Sequence, residues 1–217
     1  MNERERGHEV FPSSDRIITP DQYAYLEYLL SKRDEHIATL ETENEWLKYD
    51  QLSGVLVAKV IRVELERKVV RASETNEPFA LIFGDVDNMK AVNSLYGYVG
   101  GDAIIAAVGR ACRRDDLVGR AGGDELWWIA DLKPREDYFV ARTPLLKPTP
   151  EHQAILMARS FERRANEEIR KINLGPQIGF SVGIAVHQKG DKAEDLIRRA
   201  NQDMTEKKEN NKALRKS

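Results

Sequence analysis

The chain of 217 residues has a single cysteine, Cys112, and no long apolar run. One cysteine excludes an internal disulfide and a zinc site made of several cysteines, so Cys112 is expected in a helix core. No stretch approaches the ~20 apolar residues that a membrane helix needs. The segment Met1–Arg6 is charged, unlike the start of a signal peptide. These absences predict a cytoplasmic protein with no membrane partner.

The chain also lacks an excess of either charge, with 34 basic and 36 acidic residues and a net charge of -2. Proteins that coat nucleic acid normally have a basic excess, so no nucleic-acid partner is expected. Hydrophobic residues make up 41% and charged residues 32% of the chain, which is typical of a globular protein with a charged surface. The length allows one substantial domain and an extension.

The predicted extension is N-terminal. Residues 1–18 are polar and aperiodic, which predicts a flexible tail. A long helix is expected over 19–49, with Thr19 as N-cap before Pro20. Its seam follows heptad spacing through Tyr23, Leu26, Leu30, Arg33, Ile37, Leu40, Asn44 and Leu47. Asn44 at an a-type position favours a parallel two-stranded coiled coil, although Arg33 on the seam weakens the pattern. A lone helix packed on the domain is the alternative.

One mixed domain is predicted over 50–213. Short apolar runs indicate a buried strand at 79–83, a hairpin at 118–121 and 126–130, and a strand at 177–186. Helical patterns cover 55–72, 101–112, 151–172 and 191–208. This order predicts an α/β (α+β) fold whose central, mainly antiparallel sheet is flanked by helices, which we place on one face. Residues 131–150 contain four prolines and are expected to form a loop or a small excursion.

Carboxylates stand at the ends of two predicted strands. The tetrad Gly122-Gly123-Asp124-Glu125 lies in the hairpin turn, where its glycines allow positive φ angles and leave room for a bulky ligand. Acids on a turn are usually only solvated, but Asp85 also ends the upstream strand. Two strand ends with carboxylates are the minimum set that holds Mg²⁺ against a nucleoside triphosphate.

With these motifs the chain resembles the GGDEF-domain diguanylate cyclases. Further family motifs appear in order between residues 50 and 212. They are Asp50-Gln51-Leu52-Ser53-Gly54, Asp85-Val86-Asp87-Asn88-Met89-Lys90, Asn93 with Gly101-Asp102, Arg113-Arg114-Asp115-Asp116, the tetrad with Leu126, Phe180-Ser181-Val182-Gly183-Ile184-Ala185, and Lys208 with Lys212. The resemblance implies a nucleotidyl cyclase or polymerase palm-like fold. It also implies a homodimer that joins two GTP into cyclic di-GMP and releases two pyrophosphates.

The resemblance also assigns roles to residues. The implied metal, Mg²⁺ with Mn²⁺ as an alternative, would be held by Asp85, the carbonyl of Val86, Asp124 and Glu125. Catalysis would rest on Asp124, Glu125, Asp85 and Lys208. Phosphates would lie against the backbone amides of Asn88, Met89 and Lys90, with positive charge from Lys90, Lys208 and Lys212. Taken alone, lysines near residue 208 are usually a solvated helix end, and Asp87 is better explained as a structural acid that caps the next turn.

Asn93 and Asp102 match the guanine-reading pair of the family. A carboxylate can accept from guanine N1–H and N2–H₂, which adenine does not present. The structural alternative makes Asn93 a turn residue and Asp102 a helix N-cap. Arg113 and Asp116 match the inhibitory product site, where Arg can fork onto phosphate or guanine. For this pair the alternative is a surface ion pair.

Some positions depart from the family pattern, and they bear on rate, packing and base fidelity. They are Ser94, Tyr98, Leu126 and Lys212, the last of which lacks a guanidinium fork. None of them removes a predicted metal ligand. Two other functions stay open: a catalytically silent sensor that binds cyclic di-GMP through Arg113 and Asp116, and a related synthase with another base preference. The sequence indicates no input signal.

Overall fold

The computed structural model describes residues 19–132, 148–175 and 178–214, with side chains as far as residue 210. The described elements are α1 (Pro20–Trp46), β1 (Leu56–Val57), α2 (Ala58–Thr75), β2 (Phe79–Asp87), α3 (Met89–Ala111), β3 (Leu117–Gly122), β4 (Glu125–Asp131), α4 (Pro150–Ile172), β5 (Gly179–Val186) and α5 (Ala193–Leu214). The predicted tail at 1–18 and most of the segment 131–150 lie outside these residues, as does the side chain of Lys212.

Helix α1 begins as the sequence predicts. The backbone N–H of Gln22 donates to Thr19 Oγ1 at 3.3 Å, and the N–H of Thr19 donates to Gln22 Oε1 at 2.9 Å. This reciprocal capping box satisfies two amides that the helix leaves unpaired. None of the 27 residues of α1 is buried in the described structure. One compact unit of the chain ends at Glu45 and the second starts at Trp46; the predicted domain boundaries remain predictions.

The five strands form one sheet in the order β1-β3-β4-β2-β5. Strand β1 pairs with β3 in parallel, and the other three neighbouring pairs are antiparallel. The predicted mainly antiparallel sheet is therefore confirmed. The two-residue strand β1 was not predicted, because the sequence pattern places these residues at the start of a helix. None of the described helices combines the length and apolar character needed to cross a membrane.

Helices cover both faces of the sheet, so the expectation of helices on one face is wrong. Phe79, Leu81 and Phe83 of β2 pack in one cluster with residues of α2 and α5. Ile82 and Val86 belong to a second cluster with residues of α3 and α4. Because neighbouring side chains of a strand point to opposite faces, a continuous apolar run such as 79–83 needs cover on both sides.

Helix α3 begins earlier than predicted and is kinked. Its backbone breaks at Gly97, which has φ 68° and ψ -178°, a conformation that favours glycine. The arms on either side of the kink lie close together. A Cβ on Gly100 would come within 2.5 Å of Tyr96 Cβ, and one on Gly101 within 2.2 Å of Asn93 Oδ1. The two glycines therefore let the arms approach each other.

Strand β5 is an edge of the sheet, and side chains form hydrogen bonds with some of its free backbone N–H and C=O groups. The Asn166 amide accepts from the N–H of Phe180 and donates to its carbonyl, both at 2.9 Å. The Asp203 carboxylate accepts from the N–H of Ile184 at 2.8 Å. Such contacts reduce the tendency of an open edge to pair with another chain. A cavity of about 720 Å³ runs along this edge between α4 and α5, and neither Asp85 nor the tetrad lines it.

Candidate active site

The tetrad lies in the predicted hairpin between β3 and β4. The expected positive φ angles are absent, however, because neither Gly122 nor Gly123 is among the described residues with positive φ. A Cβ on Gly123 would meet nothing within 4 Å, and one on Gly122 would lie 3.3 Å from Glu125 Oε2. The glycines thus keep the space over the turn open and do not supply a left-handed backbone.

The sheet register brings the two acidic strand ends together. Asp85 of β2 is the direct partner of Glu125 of β4, so Asp124 lies beside it. Burial raises the pKa of Asp85 to about 6; the hydrogen bond and charge of Lys208 oppose this rise, and neighbouring Asp124 adds to it. Two half-buried carboxylates therefore face each other at the end of β2. Val86, whose carbonyl was a predicted ligand, is buried and belongs to the hydrophobic core.

Lys208 reaches these acids from α5. Its ammonium group donates to the carboxylate of Asp85 and lies 3.0 Å from that of Asp87. Only 16% of the Lys208 side chain is exposed, so it is not a solvated helix end. Burial acts to lower the pKa of Lys208, but the bonds to Asp85 and Asp87 outweigh burial and raise it. The side chain therefore stays charged beside these two carboxylates.

The prediction that Asp87 caps the following turn is wrong. Its carboxylate accepts from the Ser181 hydroxyl at 2.9 Å and pairs with Lys208, so it joins β2 to β5 and α5. The residue that precedes α3 is Asn88, with φ 61° and no side-chain cap. Asp87 is thus a structural acid, as predicted, but with different partners.

A divalent cation fits this donor set. Among the described side chains, no three of His, Cys, Asp or Glu converge on one point. Mg²⁺ nevertheless needs only one or two carboxylates when nucleotide phosphates and water complete its octahedron. Asp85 and Asp124 can supply these, with Glu125 next to them. Like charges this close disfavour ionisation of both groups unless a cation shares them. The residues therefore fit a metal bound together with a nucleotide.

Asn93 and Asp102 lie on the two arms of α3. Asn93 Oδ1 is buried and has no hydrogen-bond partner among the described residues, whereas Asp102 is exposed. Both residues lie within the helix, so neither the turn residue nor the helix N-cap of the structural alternative is observed. A buried polar atom without a partner is costly. The arrangement leaves an acceptor and a carboxylate ready for a ligand with hydrogen-bond donors.

The start of α3 provides backbone amides close to Asp85. Asn88 precedes the helix, and Met89 and Lys90 form its first turn. The first N–H groups of a helix have no partner within it and favour anions. Lys90 is exposed. Lys212 lies in α5, but its side chain falls outside the described residues.

Arg113 and Asp116 do not form a side-chain ion pair with each other. The Arg113 side chain is exposed, and only its backbone N–H donates to Asp116, at 3.2 Å. The carboxylate of Asp116 instead pairs with Arg164 of α4 at 3.6 Å. Arg164 also donates to the carbonyl of Ala111 at 2.9 Å. Sequence reasoning missed Arg164, because nothing in the pattern of a charged helix singles out one arginine.

Arg120 is a second residue that sequence reasoning missed. Its Nη1 lies 3.1 and 3.2 Å from the two carboxylate oxygens of Asp50, and its Nε donates to the carbonyl of Gly123 at 2.8 Å. Asp50 also accepts from the N–H and hydroxyl of Ser53. Arg120 therefore links the first motif of the domain to the tetrad turn. A signal was available, since Arg120 is the only charged residue between Leu117 and Gly123.

The model of the family described as "Diguanylate cyclase, GGDEF domain" matches residues 47–213. The probable diguanylate cyclase DgcJ of Escherichia coli K12 is 24% identical over 165 residues, which are 74% of this chain and 29% of DgcJ. The diguanylate cyclase VdcA of Vibrio cholerae is 25% identical over 183 residues, 79% of this chain and 46% of VdcA. This chain thus spans less than half the length of these relatives.

Among solved structures, the coiled coil and GGDEF domain of DgcB from Caulobacter crescentus, in complex with c-di-GMP, has the same fold. The TM-score is 0.68 at 20% identity, and the match covers 87% of this chain and 94% of that one. At this identity the likeness concerns the fold alone. The family match covers most of the chain, with the acidic strand ends in place. The chain belongs to the GGDEF-domain diguanylate cyclase family.

Proposed function

We propose that this chain is a diguanylate cyclase that condenses two GTP into cyclic di-GMP and releases two pyrophosphates. The observation that carries this proposal is the convergence of Asp85, Asp124 and Lys208 at one end of β2, directly before the helix that holds Asn93 and Asp102. A triphosphate needs cations and backbone amides, and a guanine base needs acceptors. Both are present within one short stretch of the fold.

Base recognition would rest on Asn93 and Asp102. The buried Asn93 Oδ1 can accept a hydrogen bond from the guanine base, and the Asp102 carboxylate can accept from N1–H and N2–H₂. Adenine offers no donor at N1 and would leave these acceptors unpaired. Unpaired polar groups in such a site strongly reduce the affinity for the wrong base. GTP is therefore the proposed substrate.

Phosphate binding would rest on the first turn of α3 and on the cations around it. Mg²⁺ or Mn²⁺, held by Asp85, the Val86 carbonyl, Asp124 and Glu125, would neutralise charge at the α-phosphate and favour ionisation of the incoming 3′-hydroxyl. Lys208 keeps a positive charge beside these carboxylates. The backbone amides of Met89 and Lys90 would face the terminal phosphates.

The direct experiment incubates the purified chain with GTP and Mg²⁺ and analyses products by mass spectrometry. Cyclic di-GMP is expected, and adding ATP as competitor should leave its yield unchanged. Calorimetric binding of cyclic di-GMP without any turnover of GTP would instead identify a silent sensor. A mixed product in the presence of ATP would identify a synthase with another base preference. Either result would contradict the proposal.

Two copies are required, because each GTP must present its 3′-hydroxyl to the α-phosphate of the other. We propose a homodimer through α1, whose seam residues Leu26, Leu30, Ile37 and Leu40 are all exposed. A parallel pair of these helices would hold two catalytic domains at high effective concentration.

The dimer proposal predicts a concentration effect. Deleting residues 1–48 should leave a folded, largely monomeric domain with much lower activity at sub-micromolar protein, and activity should recover as protein concentration rises. Light scattering measures the mass, and product formation measures the rate at each concentration. A monomeric full-length chain with undiminished activity would rule out this role for α1.

We further propose product feedback at Arg113 and Asp116. The exposed Arg113 guanidinium is available to a phosphate or guanine, and Asp116 together with Arg164 offers a second charged contact. The two domains can be arranged with their GTP sites together, which is productive, or apart. Cyclic di-GMP would slow the enzyme if it bound the second arrangement more tightly than the first.

A further inference from the structure

We propose that an apolar rim beside the GTP site is the surface through which two copies of this chain contact each other when their GTP sites meet. The rim consists of Leu95, Tyr98 and Val99, which surround the kink of α3. This inference rests on the proposed function, since that function requires two sites to come together. It assigns the contact between the catalytic domains to specific side chains.

The rim is exposed to an unusual degree. The exposed fractions are 76% for Leu95, 82% for Tyr98 and 80% for Val99, the highest of the described large apolar side chains. Single apolar side chains on a surface are normal, but several in one place mark an interaction site. These three lie within five residues of one another along the chain.

The fold holds the rim in place. Tyr96, between the rim residues, donates its hydroxyl to the carbonyl of Leu174 at 2.9 Å. Its Cβ also lies against Gly100, in a space that any side chain at that position would fill. The backbone at the kink is thus tied to the segment that follows α4, which lowers the conformational entropy that a partner contact would cost.

Along the chain, the rim lies between the two proposed guanine-reading residues. Asn93 lies two residues before it and Asp102 three residues after it, on the two arms of the same helix. A site that must be joined to the same site of a second copy is incomplete by itself. Side chains that border the opening will be among the first to meet the partner.

The absence of charge in and around the rim favours a second copy of this chain as its binding partner. No residue from 91 to 101 is charged, although charged residues make up 32% of the chain. A contact about a two-fold axis places the same surface patch of both copies together. Like charges would then repel each other, whereas a neutral apolar surface is compatible with itself. A partner of different chemistry would impose no such neutrality.

The size of the rim indicates when the contact forms. Three side chains are far less than the ~800 Å² per partner of a stable protein interface. The rim should therefore not hold two copies together alone. It would act when another interface already keeps them at high effective concentration. Changes in the rim should consequently alter the rate of product formation and not the mass of the particle.

The first test uses the full chain with Leu95→Ser and Tyr98→Ser combined. The control is Val70→Ser, which removes an apolar side chain, 59% exposed, from α2. The double variant should keep the wild-type mass in light scattering and its affinity for a non-hydrolysable GTP analogue. Its initial rate of cyclic di-GMP formation should fall about tenfold or more, which corresponds to ~1.4 kcal/mol. The control should match the wild type.

A second test asks whether two rims meet. Tyr98→Cys and Val70→Cys are compared in a Cys112→Ala background, with a flexible bis-maleimide, Mg²⁺ and the non-hydrolysable GTP analogue. A covalent dimer should form at position 98 and be much weaker at position 70. This readout needs no turnover, so it reports on the rim even if the wild type makes no cyclic di-GMP, the result that would refute the proposed function.

Two results would overturn the inference. Wild-type rates in the double variant, with equal cross-linking at 98 and 70, would show that the rims do not meet. The double variant could also lose affinity for the GTP analogue by an amount that accounts for its lower rate. That result would mean that the rim belongs to the nucleotide pocket of its own copy.

Discussion

The acids at the end of β2 and the Arg113 region hold their charges in different ways. Asp85 and Asp87 are fixed by Lys208, which comes from another element and is itself mostly buried. The Arg113 side chain has no partner among the described residues, and Asp116 is held by Arg164 at the longer distance of 3.6 Å. This difference fits the proposed roles of the two regions, because a site that performs chemistry gains from charges fixed in advance, whereas one that binds and releases a regulator can leave a group open.

The largest effect is expected where the charges are fixed. Asp124→Asn keeps the shape of the side chain but removes the charge that lies beside Asp85. Loss of this proposed metal ligand should lower the rate of cyclic di-GMP formation by roughly 10³-fold or more. The melting temperature should stay near that of the wild type, because the change removes like-charge repulsion and no core contact. Initial rates and thermal unfolding measure the two quantities.

The control for this change is Glu74→Ala, an exposed acid on α2. It should alter neither quantity. Substantial turnover by Asp124→Asn at saturating Mg²⁺ would contradict the assignment of Asp124 as a ligand.

A smaller loss is expected at Arg120, which touches the tetrad turn but not the proposed substrate. Arg120→Lys keeps the charge and loses the fork that reaches both Asp50 and the Gly123 carbonyl. A turn displaced by a fraction of an ångström should lower kcat by roughly 10- to 100-fold. The KM for GTP should change little, because the guanine contacts are elsewhere. If the guanidinium geometry matters more than the charge, kcat should fall by the same factor in Arg120→Lys and Arg120→Ala.

Arg120 would be only a stabilising residue if both variants kept the wild-type kcat and merely melted at lower temperature. That outcome would remove the proposed link between the first motif and the tetrad. Measuring kcat well below the melting temperature separates the two cases.

The sequence was sufficient for the features that depend on local pattern. The hairpin around the tetrad and the strand at 79–83 are short apolar runs bounded by glycine or proline, and both were confirmed. The heptad helix was also found, with its cap at Thr19. These elements are determined by residues close together along the chain.

Features that depend on tertiary contacts were missed. Strand β1 has only two residues and exists because it pairs with β3, which its own sequence does not reveal. Helix α3 is kinked at Gly97, and only its second arm, from residue 101, was predicted as a helix. The ion pair between Arg164 and Asp116 joins residues 48 positions apart. For the strand and the ion pair the deciding partner lies on another element, so periodicity carries no signal for it.

The Asp50–Arg120 pair also predicts a dependence of stability on pH. Burial alone would raise the pKa of Asp50, but hydrogen bonds from Ser53 and the charge of Arg120 outweigh it and lower the pKa in the folded state. A carboxyl with a lowered folded pKa stabilises the protein above its unfolded value of about 3.9. This contribution is lost as the pH falls through the folded pKa.

Asp50→Asn keeps an acceptor for Ser53 but removes the charge. At neutral pH it should lower the free energy of unfolding by about 1 kcal/mol, since the two side chains are only 22% and 23% exposed. The difference from the wild type should shrink as the pH falls from about 5 to 3. Denaturant unfolding at several pH values measures it, with Asp115→Asn, an exposed loop acid, as control. A difference that grows towards acid would refute the sign of the pKa shift.

The smallest effect on initial rate is expected at the open site. Arg113→Ala removes an exposed guanidinium and touches neither Asp85 nor Asp124, so the first minutes of reaction should match the wild type. Progress curves should then differ: the wild type should slow as cyclic di-GMP accumulates, and the variant should continue.

Arg114→Ala, the adjacent exposed arginine, is the matched control and should slow like the wild type. The Asp116 carboxylate is paired with Arg164, whereas the Arg113 guanidinium is exposed, so the change at Arg113 tests the exposed group of this pair. Identical inhibition of wild type and Arg113→Ala by added cyclic di-GMP would mean that the exposed guanidinium does not bind product, and that the difference between the two regions has no regulatory role.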